Sequence, residues 1–363
     1  MKGLYVHIPF CEHICFYCDF AKRVPKDAHM IDEYLDYLIQ EINSYQKHFK
    51  SIETIYIGGG TPSMLNLEQT EKLLKHLLSI HPVEYTIEVN PESYTKEKGL
   101  LYKAYGINRI SLGVQTFNQE ILNQLNRKHK NQQVYDTIHH LKDIGIDNIN
   151  IDLIYALPKQ SLTDLDFDLK HIKELNPTHI SAYSLILEEK TVFYHEYLKG
   201  NFSVMDEDIE AQMYQKIIKE LKAMGYQHYE ISNFAKPGYQ SKHNLIYWSL
   251  GEYIGVGVGA HGYIDGYRMQ NHRLLKDYYQ NFQLEKVLQT KEMNLQDALI
   301  FGLRKIDGID IQSLEKQYEF NLLDRFPKIQ EKMDQGLVSY QSGILKLTEK
   351  GIFLGNQVFM VFI

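Results

Sequence analysis

Three cysteines, Cys11, Cys15 and Cys18, are the whole cysteine complement of this 363-residue chain. They stand in the stretch YVHIPFCEHICFYCDF at residues 5–20, with the spacing CxxxCxxC. Thiolates this close in sequence can converge on one metal centre. An odd number of cysteines without an export signal argues against a disulfide framework. The chemistry that this spacing favours is therefore metal binding.

Two kinds of metal centre fit three cysteines. Zinc would take the three thiolates and a histidine such as His13 to complete a tetrahedral site. A 4Fe–4S cluster usually takes four cysteines, so three of them leave one iron without a protein ligand. That open iron would suit a chelating molecule such as S-adenosylmethionine, whose amino and carboxylate groups are adjacent. The spacing alone favours the cluster over zinc but leaves both open.

The composition is that of an ordinary globular protein, with 44% hydrophobic and 23% charged residues. No apolar run reaches the roughly 18 residues of a transmembrane helix, and the N-terminal residues lack the features of a secretory signal. The net charge of −7 argues against a nucleic-acid partner. We therefore expect a cytoplasmic protein. The apolar C-terminal stretch VFMVFI leaves peripheral contact with a membrane open.

The elements that must position the cysteines alternate between strands and helices. Short β-branched runs predict strands at 4–8, 54–58, 85–89, 109–113, 148–154 and 178–185. Amphipathic stretches between them predict helices, at 34–45, 67–80 and 132–145 among others. This alternation implies an α/β fold with a parallel sheet and right-handed crossovers. Six such units suit an open, partial (β/α)6 barrel.

Polar and glycine residues gather where these strands end. Gly58–Thr61 end the second strand, Glu88 and Asn90 close the third, Gln115 follows the fourth, and Asp152 lies late in the fifth. Active sites of α/β barrels are assembled at this carboxyl end of the strands. The sequence therefore predicts a site there, next to the cysteines that follow the first strand.

The chain divides into three parts by pattern. Residues 1–205 hold the barrel, and residues 206–289 form a flanking extension with a long helix followed by Gly-, His- and Tyr-rich sequence. Residues 290–363 predict three helices and a hairpin, LVSY and ILKLT around a QSG turn, which resembles a winged helix. Acidic and basic residues nearly balance in this last part, which argues against DNA binding.

A family resemblance joins these observations. The run Cys11-Glu-His-Ile-Cys15-Phe-Tyr-Cys18 resembles the cluster motif of radical S-adenosylmethionine (radical SAM) enzymes. Over essentially the whole chain, YVHIPFC, IGGGTPS, IEVNPE, ISLGVQTFN, NIDLIYALP and HNLIYW resemble the coproporphyrinogen dehydrogenase branch, and within it the HemW-type heme chaperones. The resemblance implies a 4Fe–4S cluster on the three cysteines, S-adenosylmethionine as cofactor, and heme that is handed to acceptor hemoproteins.

The same resemblance implies the residues that contact S-adenosylmethionine. They are Tyr5, Tyr17, Gly59, Gly60, Thr61, Glu88, Gln115, Arg127 and Asp152. Glycines allow close backbone approach to a ligand, and carboxylates and arginine can hydrogen-bond its ammonium, hydroxyl and carboxylate groups. Taken singly, an aspartate or arginine at a strand end is more often a structural hydrogen-bonding residue.

The stretch His243-Asn-Leu-Ile-Tyr247-Trp248 matches the HNxxYW motif associated with heme binding in the HemW group, and Trp248 is the only tryptophan. Imidazole is a common axial ligand of heme iron, and aromatic rings can pack on a porphyrin. Alternatively, His243 and Tyr247 are only helical neighbours and Trp248 fills the core. His261, in VGVGAHGYIDG, is a further candidate for a heme or ligand pocket, and a packed loop histidine explains it almost as well.

Two departures separate the chain from the coproporphyrinogen dehydrogenases. Phe20 stands where those enzymes carry a fourth cysteine, and only ten residues precede Cys11, where they carry a longer extension. Both favour a heme chaperone over the oxidative decarboxylation of coproporphyrinogen III, which remains the alternative. A radical tRNA-modifying enzyme is disfavoured by the net negative charge. Homodimerisation stays open.

Overall fold

A mixed sheet of twelve strands forms the centre of the protein in a computed structural model that describes residues 2–363. Its strands are β1 (Lys2–Ile8), β2 (Ile52–Gly59), β3 (Glu84–Val89), β4 (Arg109–Gln115), β5 (Asn148–Tyr155), β6 (His179–Ser184), β7 (Gln227–Glu230), β8 (Asn233–Ala235), β9 (Glu252–Val256), β10 (His261–Ile264), β11 (Tyr267–Asn271) and β12 (Gln283–Leu288). Their spatial order is β12-β11-β10-β9-β1-β2-β3-β4-β5-β6-β8-β7. Strands β1 to β6 are parallel neighbours, as predicted.

Helices follow the parallel strands and continue into the rest of the chain. The first eight are α1 (Ala28–Ser44), α2 (Leu67–Leu77), α3 (Lys96–Ala104), α4 (Gln119–Gln124), α5 (Asn131–Asp143), α6 (Leu162–Leu175), α7 (Val192–Leu198) and α8 (Glu207–Ala223). Side-chain caps set several of their starts: Asp27 accepts the N–H of Met30 at 2.9 Å, and Ser161 caps α6. Within residues 2–363, no helix combines the length and the apolar character needed to span a membrane.

Alternation along β1 separates the two faces of the barrel wall. Leu4, Val6 and Ile8 have no exposed surface and pack in the main core. Tyr5 and His7 lie between them on the opposite face, since successive strand residues point to opposite sides. Both line a cavity inside the barrel. The period of two thus builds an apolar outer layer and a polar interior from one strand.

The extension predicted over residues 206–289 contributes strands to both edges of the sheet. β8 pairs with β6 on one side, and β9 pairs in parallel with β1 on the other. The strands β10, β11 and β12 then extend the sheet in antiparallel order beyond β9. Helix α9 (Lys242–Trp248) lies between these two groups along the chain, and α10 (Leu275–Gln280) precedes β12. The sheet therefore crosses the predicted boundary at residue 205.

The C-terminal part has its own core and a small sheet. It contains α11 (Lys291–Gly302), β13 (Ile309–Asp310), α12 (Ile311–Tyr318), α13 (Leu322–Arg325), α14 (Lys328–Asp334), β14 (Val338–Gln341), β15 (Ile344–Leu347), α15 (Glu349–Phe353) and α16 (Gly355–Phe359). The three strands are ordered β13-β15-β14. Its buried cluster includes Leu299 and Val358. The three helices and hairpin expected from the sequence are present, with further short helices after the hairpin.

Candidate functional site

One cavity of about 910 Å³ opens at the carboxyl ends of the barrel strands. Fifteen of the residues singled out in the sequence line it: Tyr5, Cys11, Cys15, Tyr17, Cys18, Gly59, Gly60, Thr61, Glu88, Gln115, Arg127, Asp152, Tyr247, Trp248 and His261. Ligand sites commonly occupy cavities of roughly 300 to 1,000 Å³. His13, Phe20 and Asn90 line it as well, whereas His243 does not. The structure thus gathers residues from β1 to β5 and from residues 247–261 around one space.

The cysteine loop is fixed at both of its ends. Cys11 donates its N–H to the carbonyl of Arg23 at 3.0 Å, and Arg23 donates back to Pro9 at 2.7 Å. The N–H of Thr61 donates to the carbonyl of Phe10 at 2.8 Å, which holds the loop against the end of β2. These bonds place the three thiols over the mouth of the barrel.

Gly60 is the point of closest approach between this loop and β2. A Cβ built on Gly60 would lie 2.7 Å from the carbonyl oxygen of Phe10 and 3.0 Å from Sγ of Cys11. No real Cβ tolerates the first of these distances, so the position requires glycine. The glycines that end β2 therefore serve the packing of the cysteine loop as well as the approach of a ligand.

The three thiols are suited to a soft metal centre. Cys11 is buried, and burial raises the pKa of its thiol to about 11, so a metal that binds this sulfur must displace its proton. Nη1 of Arg127 lies 3.8 Å from Sγ of Cys15, so a fixed positive charge faces this sulfur. Thiolate ligands select zinc and iron–sulfur centres over hard cations. Within residues 2–363, no three His, Cys, Asp or Glu side chains already surround a common point. The three thiols fit a soft metal centre by their chemical type and because they line the same cavity.

Glu88 and Asp152 form the acidic floor of the cavity. Glu88 accepts the N–H of Gly59 at 2.9 Å and the hydroxyl of Tyr56 at 2.8 Å. Burial, with a further contribution from the negative charge of Asp152, raises the pKa of Glu88 to about 7. Burial also raises the pKa of Asp152, whose carboxylate accepts bonds from Ser111 and Asn150. A cationic or hydroxyl-bearing ligand would supply the donors that this floor can accept.

Gly59 brings the backbone into this floor. Its φ is +114°, and a Cβ there would lie 2.5 Å from the ring of His7. His7 is held in place, since its Nε2 donates to the carbonyl of Ala21 at 2.7 Å and its Nδ1 accepts from Tyr5 at 2.9 Å. Burial lowers the pKa of His7 to about 4, which keeps the ring neutral. Both the backbone angle and the neighbouring ring exclude a side chain at residue 59.

Arg127 provides a buried cation on the opposite wall. Its Nη2 donates to Oδ1 of Asn90 at 3.0 Å and to the carbonyl of Gly113. Its Nε is buried and has no partner in the described part of the chain. Gln115 lies beside it, with a left-handed φ of 69° at the end of β4. A guanidinium with an unfilled donor can bind a carboxylate.

Helix α9 brings the last two residues of the HNxxYW motif to the cavity but not its histidine. Tyr247 and Trp248 line the cavity, and Arg304 lies over the Trp248 ring at 4.5 Å. His243 is 1% exposed, and its two nitrogens lie 2.7 Å from the hydroxyls of Thr54 and Tyr247. Burial and the charge of Arg109 lower its pKa to about 3. In this geometry His243 is a buried helical neighbour of Tyr247 with both ring nitrogens hydrogen-bonded, and its role toward heme stays a prediction.

The β10–β11 hairpin supplies the remaining wall. His261 and Tyr263 lie two residues apart on one face of β10, and Arg268 pairs across the ladder from Tyr263. Arg268 binds Oδ2 of Asp297 at 2.6 Å. Arg273 follows the hairpin and donates to the carbonyl of Asp19, next to Cys18, at 3.0 Å. This wall therefore combines an imidazole, aromatic rings and two guanidiniums.

Several residues of the cavity were not singled out from the sequence. They are His7, Tyr56, Tyr253, Tyr263, Arg268, Arg273 and Phe301. The period of two in β1 could have indicated His7, which shares a face with Tyr5. Tyr56 could have been indicated in the same way, because it lies in the predicted strand 54–58 and pairs with Tyr5. The other five lie on β9 or later in the chain, and no local pattern predicts the pairing of β9 with β1 that brings them to the cavity.

Comparison with known proteins decides the family. A model described as the radical SAM superfamily matches residues 5–172, and one described as the HemN C-terminal domain matches residues 289–354. The heme chaperone HemW of Lactococcus lactis is 40% identical, over 100% of this chain and 97% of that protein. The heme chaperone HemW of Bacillus subtilis is 39% identical, over 100% and 99%. The chain belongs to the HemW family.

A solved structure extends this result to the fold. Coproporphyrinogen III oxidase (HemN) from Escherichia coli, described as a radical SAM enzyme, superimposes with a TM-score of 0.87 at 28% identity. The superposition covers 99% of this chain and 89% of that one. The HemW family chain thus has the α/β radical SAM fold, with its mixed sheet and small C-terminal part, as the sequence predicted.

Proposed function

We propose that this chain carries a 4Fe–4S cluster on Cys11, Cys15 and Cys18 and acts as a cytoplasmic heme chaperone. The cavity supports the first half of this proposal, because three thiols and the buried Arg127 face one space. When bound, such a cluster offers one iron without a protein ligand, at which S-adenosylmethionine can chelate. The similarity over the full chain to proteins named heme chaperones supports the second half.

The residues around the thiols have definite tasks in this proposal. Arg127 pairs with the carboxylate of S-adenosylmethionine, and Glu88 and Asp152 accept hydrogen bonds from its polar groups. Gln115 and Thr61 add polar contacts, and the backbone at Gly59 and Gly60 lets the cofactor approach β2. Tyr5 and Tyr17 close the sides of this half of the cavity.

A single observation carries the chaperone proposal. The cysteine half and the aromatic, basic half built by residues 247–273 are two ends of one continuous cavity. A flat macrocycle with a metal and acidic side chains matches aromatic walls, an imidazole and guanidiniums. Heme held there would lie at the mouth of the barrel, from which an acceptor hemoprotein could take it.

The oxidation of coproporphyrinogen III remains a second candidate because of the similarity to HemN. Phe20 counts against it. This residue lines the cavity and is 68% exposed. The coproporphyrinogen dehydrogenases that the sequence resembles carry a fourth cysteine at this position.

Parallel assays on one preparation separate the two functions. The anaerobically reconstituted full chain is loaded with hemin and mixed with apomyoglobin, whose Soret band reports transfer. The same protein is incubated with coproporphyrinogen III, S-adenosylmethionine and a reductant. We expect heme transfer and no decarboxylation. Turnover of coproporphyrinogen III without heme transfer would establish the oxidase instead.

A further inference from the structure

We propose that His261 supplies the axial imidazole for heme in this cavity, and that Arg273 pairs with a propionate carboxylate of the same porphyrin. The inference rests on the proposed heme-binding function and specifies how the ligand is held. It replaces His243, the histidine of the HNxxYW motif, as the iron ligand.

His243 is not available as an iron ligand, because both of its ring nitrogens are already hydrogen-bonded. One shares a hydrogen bond with Thr54 and the other with Tyr247, each at 2.7 Å. Its ring lies behind Tyr56, at a centroid distance of 5.4 Å, and is 1% exposed. Ligating an iron would require breaking one of these bonds and moving α9. The ring instead fixes the orientation of Tyr247, which does line the cavity.

The other histidines of the cavity are His7, His13 and His261. Both nitrogens of His7 are hydrogen-bonded, to Tyr5 and to Ala21. His13 lies within the cysteine loop, and its Nε2 lies 4.0 Å from Glu92 without a hydrogen-bond partner among residues 2–363. His261 is exposed, and in the part of the chain that the structure describes its ring has no hydrogen-bond partner. It is therefore the free imidazole in the aromatic, basic half of the cavity, whereas His13 lies in the cysteine half.

The backbone holds His261 in place before any ligand binds. A Cβ on Gly255 would lie 1.8 Å from the carbonyl oxygen of His261, so β9 and β10 approach here as only glycine permits. Ala260 accepts the N–H of Asn271 at 2.8 Å. Gly259 donates to the carbonyl of His272 at 2.8 Å, with a φ of 69°. A ligand carried on such a fixed hairpin loses little entropy on binding.

The charges around His261 fit a dianionic porphyrin. Partial withdrawal of the ring from water, and then the positive charges of Arg273 and Arg268, lower the pKa of the half-covered His261, which favours the neutral ring that ligates metals. Arg268 is already paired with Asp297 at 2.6 Å. Among residues 2–363, the Arg273 guanidinium has only its bond to the carbonyl of Asp19, so further N–H groups remain for a carboxylate.

Aromatic side chains border the same end of the cavity. Trp248, Tyr253, Tyr263 and Phe301 line it. Rings of this kind pack against the apolar faces of a macrocycle. Together these groups form one surface that is complementary to heme. The imidazole faces the metal, the guanidinium faces an acidic side chain, and the rings cover the macrocycle.

The test uses the full chain titrated with hemin, followed by Soret absorption and by EPR of the ferric form. His261→Ala is expected to lose the imidazole signature and to raise the hemin dissociation constant roughly tenfold or more. Added imidazole should restore the spectrum. His29→Ala, at an exposed position on α1 outside the cavity, is the matched control and should behave as wild type. His243→Gln should keep the imidazole signature.

Arg273→Gln examines the second contact. It is expected to weaken hemin binding roughly tenfold, the usual loss for a charge-assisted hydrogen bond, without changing the spectrum. Hemin dimethyl ester has no carboxylates, so it should bind wild type and Arg273→Gln with equal affinity. An equal loss with the ester in Arg273→Gln would overturn the assignment of Arg273.

The outcomes separate this inference from the proposed function. Wild-type protein that fails to bind hemin would refute the function itself. Hemin binding with an unaltered spectrum in His261→Ala would overturn the axial assignment while leaving the function standing. Loss of the imidazole signature in His243→Gln together with its retention in His261→Ala would return the ligand to the HNxxYW motif.

Discussion

Nε2 of His243 lies 2.7 Å from the hydroxyl of Tyr247, one helical turn away on α9. The other ring nitrogen binds Thr54 on β2 at the same distance, so this imidazole joins the HNxxYW helix to the barrel wall. A buried group with two such bonds leaves unpaired hydroxyls behind when it is removed. The motif therefore has a structural role in addition to any contact with heme.

His243→Ala is expected to lower the free energy of unfolding by about 2 to 4 kcal/mol, because it leaves a cavity and an unpaired buried Thr54 hydroxyl. Urea denaturation followed by circular dichroism measures the change. The exposed His29→Ala should lie within about 0.5 kcal/mol of wild type. A His243→Ala variant as stable as wild type would show that this linkage contributes nothing to the fold.

The sequence was informative where local pattern determines structure. The six parallel strands follow from β-branched runs, and the spacing of His243 and Tyr247 already indicated helical neighbours. Which side of α9 faces the cavity was not predictable, because it depends on Thr54, far away along the chain. The positions of His261 and Arg273 likewise depend on β9 pairing with β1. Short antiparallel strands such as β10 and β11 carry too little periodicity to indicate such a contact.

The cluster prediction concerns iron content. Anaerobic reconstitution should give about four irons and four sulfides per chain, and Cys11→Ala, Cys15→Ala or Cys18→Ala should abolish this, because three thiolates are all that the chain offers. Iron and sulfide assays with absorption spectra provide the measurement. Phe20→Ala, in the same loop region but without a thiol, should retain the iron. Stoichiometric zinc without iron–sulfur absorption would contradict the prediction.

The cofactor prediction concerns Gly59. Gly59→Val should abolish or weaken the change that S-adenosylmethionine causes in the EPR spectrum of the reduced cluster, because the new Cβ would lie 2.5 Å from His7. Gly106→Val is the matched control. Gly106 also has a positive φ, of 83°, but no atom of residues 2–363 outside its own neighbourhood lies within 4 Å of its Cβ position. Gly106→Val therefore strains the backbone without a steric clash. An equal effect in both variants would mean that strain, not the cofactor site, is being measured.

The last prediction concerns Glu41 on α1, which is 2% exposed and braces the strands added beyond β9. Its carboxylate accepts the N–H of Gly257 at 2.7 Å, the hydroxyl of Tyr278 at 2.6 Å and the amide of Asn271 at 2.7 Å. Burial nevertheless raises its pKa to about 7, above the value of 4.5 in the unfolded chain. The folded state therefore binds this proton more tightly than the unfolded state does. The contribution to stability is complete below about pH 4.5 and is lost as the pH rises through 7.

Between pH 5 and pH 8 this loss amounts to about 2 to 3 kcal/mol of the free energy of unfolding, which Glu41→Gln should remove from the pH profile. Urea unfolding of both proteins at several pH values gives the two slopes, and their difference isolates Glu41 from the other buried carboxyls. Glu33→Gln, exposed on the same helix, is the control and should retain the wild-type slope. Parallel profiles for wild type and Glu41→Gln would show that the carboxylate stays ionised, because its three donors then outweigh the cost of burial.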